Sequence, residues 1–366
     1  MAEIVDILKV AVDKKASDIH FTIGRPPMAR IRGEIAQMNE FPVITADESK
    51  RLIYSVLFED QRRVFEESGE LDSSTVIPKV ARFRVNVFLQ KNGVEAVLRV
   101  IPTVIPSPEE IELPKQITAL SDLPKGLVLV TGPTGSGKST TLACIINLIN
   151  SKHKHNIITV EDPIEFVYEH NMSIIRQREV GQHTKSFATA LKYALRQDPD
   201  VLLVGEMRDL ETIGAALTIA ETGHLAFATL HTQDAAQTVD RVIDVFPPHQ
   251  QQQIRVQLAA TLKAVVSQIL LPRCDTAGRA AAREIMTVTP AIANLIREGK
   301  THQIYNAIDT GAKYGMISMD KALIELVRAG KVNVEDAAAK AANPDYVRSG
   351  GKNASSSAGA ASYSSY

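Results

Sequence analysis

Apolar residues at Ile4, Ile7, Leu8, Ala11 and Val12 fall on one face of a helix. The run Ile19-His20-Phe21 reads as a strand, stopped by Gly24-Arg25-Pro26-Pro27. Thr45-Ala46-Asp47-Glu48 has capping-box character and predicts a helix running towards Phe58. Two alternating runs, Arg82–Phe88 and Glu95–Ile101, flank Asn92-Gly93, a strong hairpin signal. With Asn92-Gly93 as the turn and Lys91 opposite Val94, Asn86 falls opposite Arg99. Side chains alternate faces along a strand. Arg82, Arg84, Asn86 and Arg99 then share one face, and Phe83, Val85, Val87, Ala96, Leu98 and Val100 the other. Residues 1–101 therefore read as an α+β domain.

Residues 102–124 carry Pro102, Pro106, Pro108, Pro114 and Pro124, which resist both helix and central strand and predict a linker. A second texture occupies 125–347. Leu127–Val130, Ile157–Val160, Val201–Val204 and Leu225–Phe227 are short, wholly apolar runs separated by helical stretches. That pattern predicts a parallel sheet covered on both faces, an α/β fold. From about 234 to 345 the reading is mainly helical, with breaks at Pro247-Pro248, Pro272 and Pro290. The end, 348–366, is mostly Ser, Ala and Gly, and reads as a disordered tail.

Composition narrows the classes. Over 366 residues, 41 Lys+Arg against 42 Asp+Glu give a formal net charge of −1. Nucleic acid is therefore not held through bulk positive charge. Aromatics are 5% and Trp is absent, so stacking platforms for single strands are scarce. No apolar run reaches membrane-spanning length, and the start, MAEIVDILKVAVDKK, lacks the uninterrupted core of a secretory signal. Cys144 and Cys274 cannot build a disulfide framework or a four-thiolate zinc site, which suits a reduced cytosol.

The sharpest chemistry is Gly132-Pro133-Thr134-Gly135-Ser136-Gly137-Lys138-Ser139, a full match to G-x-x-x-x-G-K-S/T. A strand leads in and a helical run, Thr140–Ile149, leads out. Glycines let the backbone N–H groups face a phosphate, and the helix N-terminus adds positive charge. Lys138 then reaches the β- and γ-phosphates of a nucleoside triphosphate, and Ser139 ligates Mg²⁺. Two strand-end carboxylates, Glu161 and Glu206, are candidates to serve the metal and the attacking water, since ligands in open parallel sheets lie at the strands' carboxyl ends. Glu161 is expected to be the base and Glu206 to support Mg²⁺, with Gly205 where a strand-end Asp is usual. His224 and His231 bracket one short strand. The same rule places His231 near the nucleotide and His224 towards a subunit or domain boundary. His153 and His155 read as a solvated helix end, and Cys144 as packing. The arginine face of the hairpin predicts an anionic partner, and Arg82, Arg84 and Arg99 are candidates to close on a γ-phosphate from the same or an adjacent subunit.

Several classes of phosphate-loop protein compete. A GTPase needs an Asn-Lys-x-Asp motif, and none is present. A small-molecule kinase leaves the N-terminal domain and the long helical end without a role. A nucleic-acid translocase is disfavoured by charge and aromatic content. A nucleotide sensor could lose the acidic residues, and here both glutamates are present.

The segments GPTGSGKST (132–140), IITVEDPIEF (157–166), DPDVLLVGEMRDLET (198–212), ETGHLAFATLHT (221–232) and ARFRVNVF (81–88) together resemble the secretion-type ATPases, and within them the pilus-retraction branch. The resemblance runs from Ala16-Ser17-Asp18-Ile19-His20 to about Val347. It implies a PAS-like N-terminal domain followed by a RecA-like ATPase domain, six subunits in a ring, and ATP with Mg²⁺ held between domains of neighbouring chains. The family's Walker A, Asp box, Walker B and His box fall on 132–140, 157–166, 198–206 and 222–232, and Gly205 before Glu206 is the family's Walker B variant. The extension and secretion branches generally add an N-terminal domain and a four-cysteine zinc module. This chain starts at the PAS-like domain with only two cysteines, which points to retraction. The implied partners are an inner-membrane platform protein and, through it, the pilin filament, at the cytoplasmic face of the inner membrane. No direct nucleic-acid partner is implied. A paralogue or related assembly ATPase with a different direction of work is the alternative. The retraction-linked motif Ala-Ile-Arg-Asn-Leu-Ile-Arg-Glu stands here as Ala291–Glu298, with Ala293 where Arg is usual.

Overall fold

A computed structural model describes residues 3–31, 33–101 and 104–351. The chain divides into two compact units. One runs from the N-terminus to Ile105 and includes Pro163–Val167. The other holds Pro106–Asp162 and the chain from Tyr168 onward.

The first unit is built on a six-stranded sheet in the order β3-β2-β1-β6-β5-β4. Its strands are β1 Ala16–Phe21, β2 Met28–Ile31, β3 Glu34–Gln37, β4 Glu70–Ile77, β5 Ala81–Gln90 and β6 Gly93–Ile101, all paired antiparallel. The helix expected at the start spans Ile4–Asp13 and buries Ile4, Ile7, Leu8 and Ala11. The capped helix spans Ala46–Tyr54, where Glu48 N–H donates to Thr45 Oγ1. It stops short of Phe58, which instead caps a separate helix, Glu59–Ser68.

The β5–β6 hairpin forms, with a corrected register. Gln90 pairs with Gly93, so Lys91-Asn92 is the turn and Arg84, not Asn86, lies opposite Arg99. Asn92 N–H donates to Gln90 Oε1 at 3.1 Å and closes this turn. The slip is an even number of residues, so no side chain changes face. Phe83, Val85, Val87, Ala96 and Leu98 are all buried in the unit's core, with Val100 packed against it.

The second unit carries a seven-stranded sheet in the order β13-β12-β7-β11-β10-β8-β9. The strands are β7 Gly126–Thr131, β8 Asn156–Glu161, β9 Ile174–Glu179, β10 Val201–Val204, β11 Leu225–Leu230, β12 Leu262–Pro272 and β13 Arg279–Thr287. All pairs are parallel except β12–β13. β7, β10 and β11 are buried along their whole length, as strands covered on both faces must be.

Two expectations change here. The stretch from 234 to 345 is mainly helical as expected, but two strands, β12 and β13, interrupt it and extend the sheet beside β7. Leu262–Pro272 is mostly apolar, broken by Lys263 and the Ser267-Gln268 pair, and has little periodicity that would distinguish strand from buried helix. Residues 106–124, expected as linker, cluster with the second unit. Leu113, Ile117 and Ser121 are buried between the prolines, with a short helix at Lys115–Thr118. Of the expected tail, residues 352–366 lie outside the described residues. Among the described residues no helix is long and apolar enough to cross a membrane.

Candidate active site

The motif residues converge because β7, β11, β10 and β8 are consecutive parallel neighbours. Their carboxyl ends present the glycine-rich loop, His231, Glu206 and Glu161 in that order. The loop leaves β7 and enters the helix Lys138–Lys152 through Gly137, whose φ of 86° suits glycine. Gly132 is required by space as well. A Cβ there would lie 2.2 Å from the Gln268 carbonyl oxygen, closer than any real contact. Pro133, Thr134, Gly135 and Ser139 are exposed at the mouth, while Ser136 and Lys138 are buried.

Lys138 Nζ donates to the Gly132 and Pro133 carbonyls at 2.8 and 3.1 Å. Burial lowers its pKa from the ordinary lysine value, and the charge of Glu206 opposes that shift. The ammonium is thus held at the loop by neutral carbonyls, partners that a phosphate can outbid electrostatically.

Glu161 is buried at the end of β8. Its Oε1 accepts from Thr159 Oγ1 at 2.7 Å and from Gln177 Nε2 at 3.3 Å. Glu206 follows β10 and is grasped from two sides. Arg208 Nη2 donates to Oε2 at 2.7 Å, and His231 Nε2 lies 3.1 Å from Oε1. Burial alone would raise the pKa of Glu206, but the Arg208 hydrogen bond and the charge of His231 hold it below the usual carboxylate range. Gly205 explains how the two glutamates come side by side. A Cβ at Gly205 would sit 3.1 Å from Glu161 Cα and 3.2 Å from the Val160 oxygen, so a larger residue would push β8 and β10 apart.

Sequence reasoning missed Gln268, Arg208 and the pair that fixes Glu161. Gln268 is buried on β12; its Nε2 donates to the Ser136 carbonyl at 2.6 Å and its Oε1 accepts from Thr141 Oγ1 at 2.9 Å. It therefore braces the loop from behind. The signal was available: Ser267-Gln268 is a polar pair inside an otherwise apolar run.

Other expectations resolve locally. His224 Nδ1 lies 3.1 Å from both Thr222 Oγ1 and the Ile219 carbonyl, at the amino end of β11 and so at the opposite end of the strand from the site. His153 pairs with Asp122 at 3.0 Å beside an exposed helix end. Cys144 is buried, and burial, with a smaller effect of Glu109, pushes its thiol up to about 11, which suits packing. Ala293 lies in the hydrophobic core of the second unit.

The three arginines belong to the first unit, each with a partner there. Arg82 Nη2 donates to Ser74 Oγ at 2.7 Å. Arg84 grips both oxygens of Asp72 at 3.1 and 2.6 Å. Arg99 Nε donates to Asp18 Oδ1 at 2.8 Å. Burial pushes the Asp18 carboxyl up, yet the Arg99 and Ser17 hydrogen bonds leave it below its ordinary value.

Comparison with known proteins places this geometry. The family model described as Type II/IV secretion system protein matches residues 2–361. A Pseudomonas aeruginosa protein named Type IV pilus retractation ATPase PilT is 49% identical over 343 residues, covering 94% of this chain and 99% of its own. The same organism's Type IV pilus ATPase PilU is 40% identical, covering 94% of this chain and 90% of its own. A crystal structure described as the pilus retraction motor PilT with bound ADP superposes with a TM-score of 0.89 at 46% identity, covering 95% of this chain and 100% of its own. The chain belongs to the Type II/IV secretion system protein family.

Proposed function

We propose that the chain is a hexameric, Mg²⁺-dependent ATPase motor that powers retraction of type IV pili. One observation carries this reading: a complete strand, phosphate loop and helix stand beside two strand-end glutamates in a chain similar over nearly its whole length to a pilus retraction ATPase. ATP is the nucleotide, and its hydrolysis is the reaction. The implied partners are an inner-membrane platform protein and, through it, the pilin filament, at the cytoplasmic face of the membrane.

Lys138 balances charge on the β- and γ-phosphates. Ser139 and Glu206 would hold Mg²⁺, which supplies further positive charge to the phosphate oxygens when bound. The donor set fits, because Mg²⁺ takes few protein oxygens and completes its shell with phosphate and water. Glu161 orients the attacking water and takes its proton, and the Thr159 and Gln177 hydrogen bonds fix the carboxylate for that purpose. His231, exposed at the end of β11 and 3.1 Å from Glu206, would act at the γ-phosphate.

Two experiments test this. Glu161→Gln is expected to keep Mg·ATP binding and to lower turnover by about 10²–10⁴. Glu206→Gln is expected in addition to weaken the dependence on Mg²⁺, and the opposite pattern exchanges the two roles. For assembly, ATP turnover measured against oligomeric state is expected to rise with ring formation. Equal turnover by a dilute monomer sinks the trans-acting ring.

A second reading is a paralogue with a different direction of work. Ala293, buried in the core where the retraction-linked motif usually carries Arg, favours it.

A further inference from the structure

Glu284 lies on β13 with its side chain buried, 1% exposed. Its Oε1 accepts the Ala235 N–H at 2.8 Å, and its Oε2 accepts the Met319 N–H at 3.3 Å. Ala235 and Met319 are the first residues of the helices Ala235–Asp244 and Met319–Arg328. One carboxylate therefore meets two helix N-termini, whose first N–H groups have no partner within the helix.

Burying a carboxylate this deeply is costly. Burial pushes it up to about 7, against the Ala235 hydrogen bond, and the charges of Asp234 and Asp320 add to the rise. An apolar side chain would fill the space at less cost, so the position is explained by what the carboxylate connects.

One end of that connection is the His231 loop. Asp234 caps the helix by accepting the Gln237 N–H, and Thr232 Oγ1 lies 2.7 Å from Thr238 Oγ1, so residues 231–234 are tied to the helix that Glu284 holds. The other end is the C-terminal helices. A polar row also leads back to the phosphate loop. Ser267 is the cross-strand partner of Glu284, and Ser267 Oγ accepts from Thr131 Oγ1 at 2.9 Å. Thr131 is the last residue of β7, immediately before Gly132. Thr131 and Ser267 are fully buried.

We propose that Glu284 is a positioning residue for hydrolysis, locking the loop that carries His231 to the C-terminal helix Met319–Arg328 through its two backbone hydrogen bonds. The inference rests on the reading of His231 as a group at the γ-phosphate.

The test uses the full chain in its assembled form. Glu284→Gln keeps size but cannot accept from both N–H groups. The expected result is a fall in kcat of about tenfold with KM for ATP within about twofold of the parent. Faster hydrogen exchange at the Ala235 amide is expected alongside. Ala235→Pro provides a second route if the glutamine variant does not fold. It deletes the donor while leaving Glu284, proline suits the first helical position, and Asp234 already has the extended backbone that precedes proline, φ −140° and ψ 171°. The same loss of kcat is expected. Parent-like kcat in Glu284→Gln despite faster exchange at Ala235, or in Ala235→Pro, overturns the inference. His231→Ala separates the two levels. If it turns over at the parent rate, the reading of His231 fails and this inference with it. If it is slow while Glu284→Gln is not, this inference alone fails.

Discussion

Replacing Lys138 by alanine is expected to leave no ATP turnover above the uncatalysed background. The ammonium is the one strong positive charge that the loop itself places at the β- and γ-phosphates, and its buried setting makes that charge count for more than it would in water. Alanine also frees the Gly132 and Pro133 carbonyls that Lys138 now engages, so their partial negative charge faces the incoming phosphates. Folding should survive. Lys138 is the first residue of a 15-residue helix, where alanine is well tolerated, and the loop remains braced by Gln268. Turnover and nucleotide binding measured with a thermal melt check this. Near-parent turnover in a folded variant would end the ATPase reading of the loop.

The next largest effect is expected from the arginines. We propose that Arg82, Arg84 and Arg99 stabilise charge at the γ-phosphate, supplied by the same or an adjacent subunit. An arginine in that role can be worth about 10³–10⁵ in rate. Lysine keeps the charge and loses the planar fork. Arg84→Lys therefore costs about 0–1 kcal/mol in folding, since its pair with Asp72 is well exposed, with 37% and 44% of the two side chains accessible. Arg99→Lys leaves a cation beside the buried Asp18 and avoids an uncompensated charge. A large drop in turnover with a small change in melting identifies a catalytic arginine. If Arg82→Lys, Arg84→Lys and Arg99→Lys all turn over at the parent rate in the assembled form, these pairs are structural.

By itself the sequence determined the local parts. Spacing of Ile4, Ile7, Leu8 and Ala11 made a helix with one buried face, and alternation from Arg82 to Phe88 set core side against polar side. Those outcomes depend on neighbours a few residues away. The glycine-rich loop was equally legible, because the chemistry of a phosphate cradle is carried by consecutive residues. The hairpin register was missed by two residues because turn closure depends on the Gln90 side chain as well as on the Asn-Gly pair.

Tertiary structure alone decided the rest. Whether Leu262–Pro272 is helix or strand turned on a free edge beside β7, since a mostly apolar, mostly buried run has little period to read. Gln268 supports the loop from 132 residues away, and Gly205 is needed only because β8 passes against it. The grouping of His231, Glu206 and Arg208 likewise follows from β10 and β11 lying side by side. Such contacts join residues far apart in the chain. A linear sequence names the residues but not which strands become neighbours, and burial of the whole sheet sets that order.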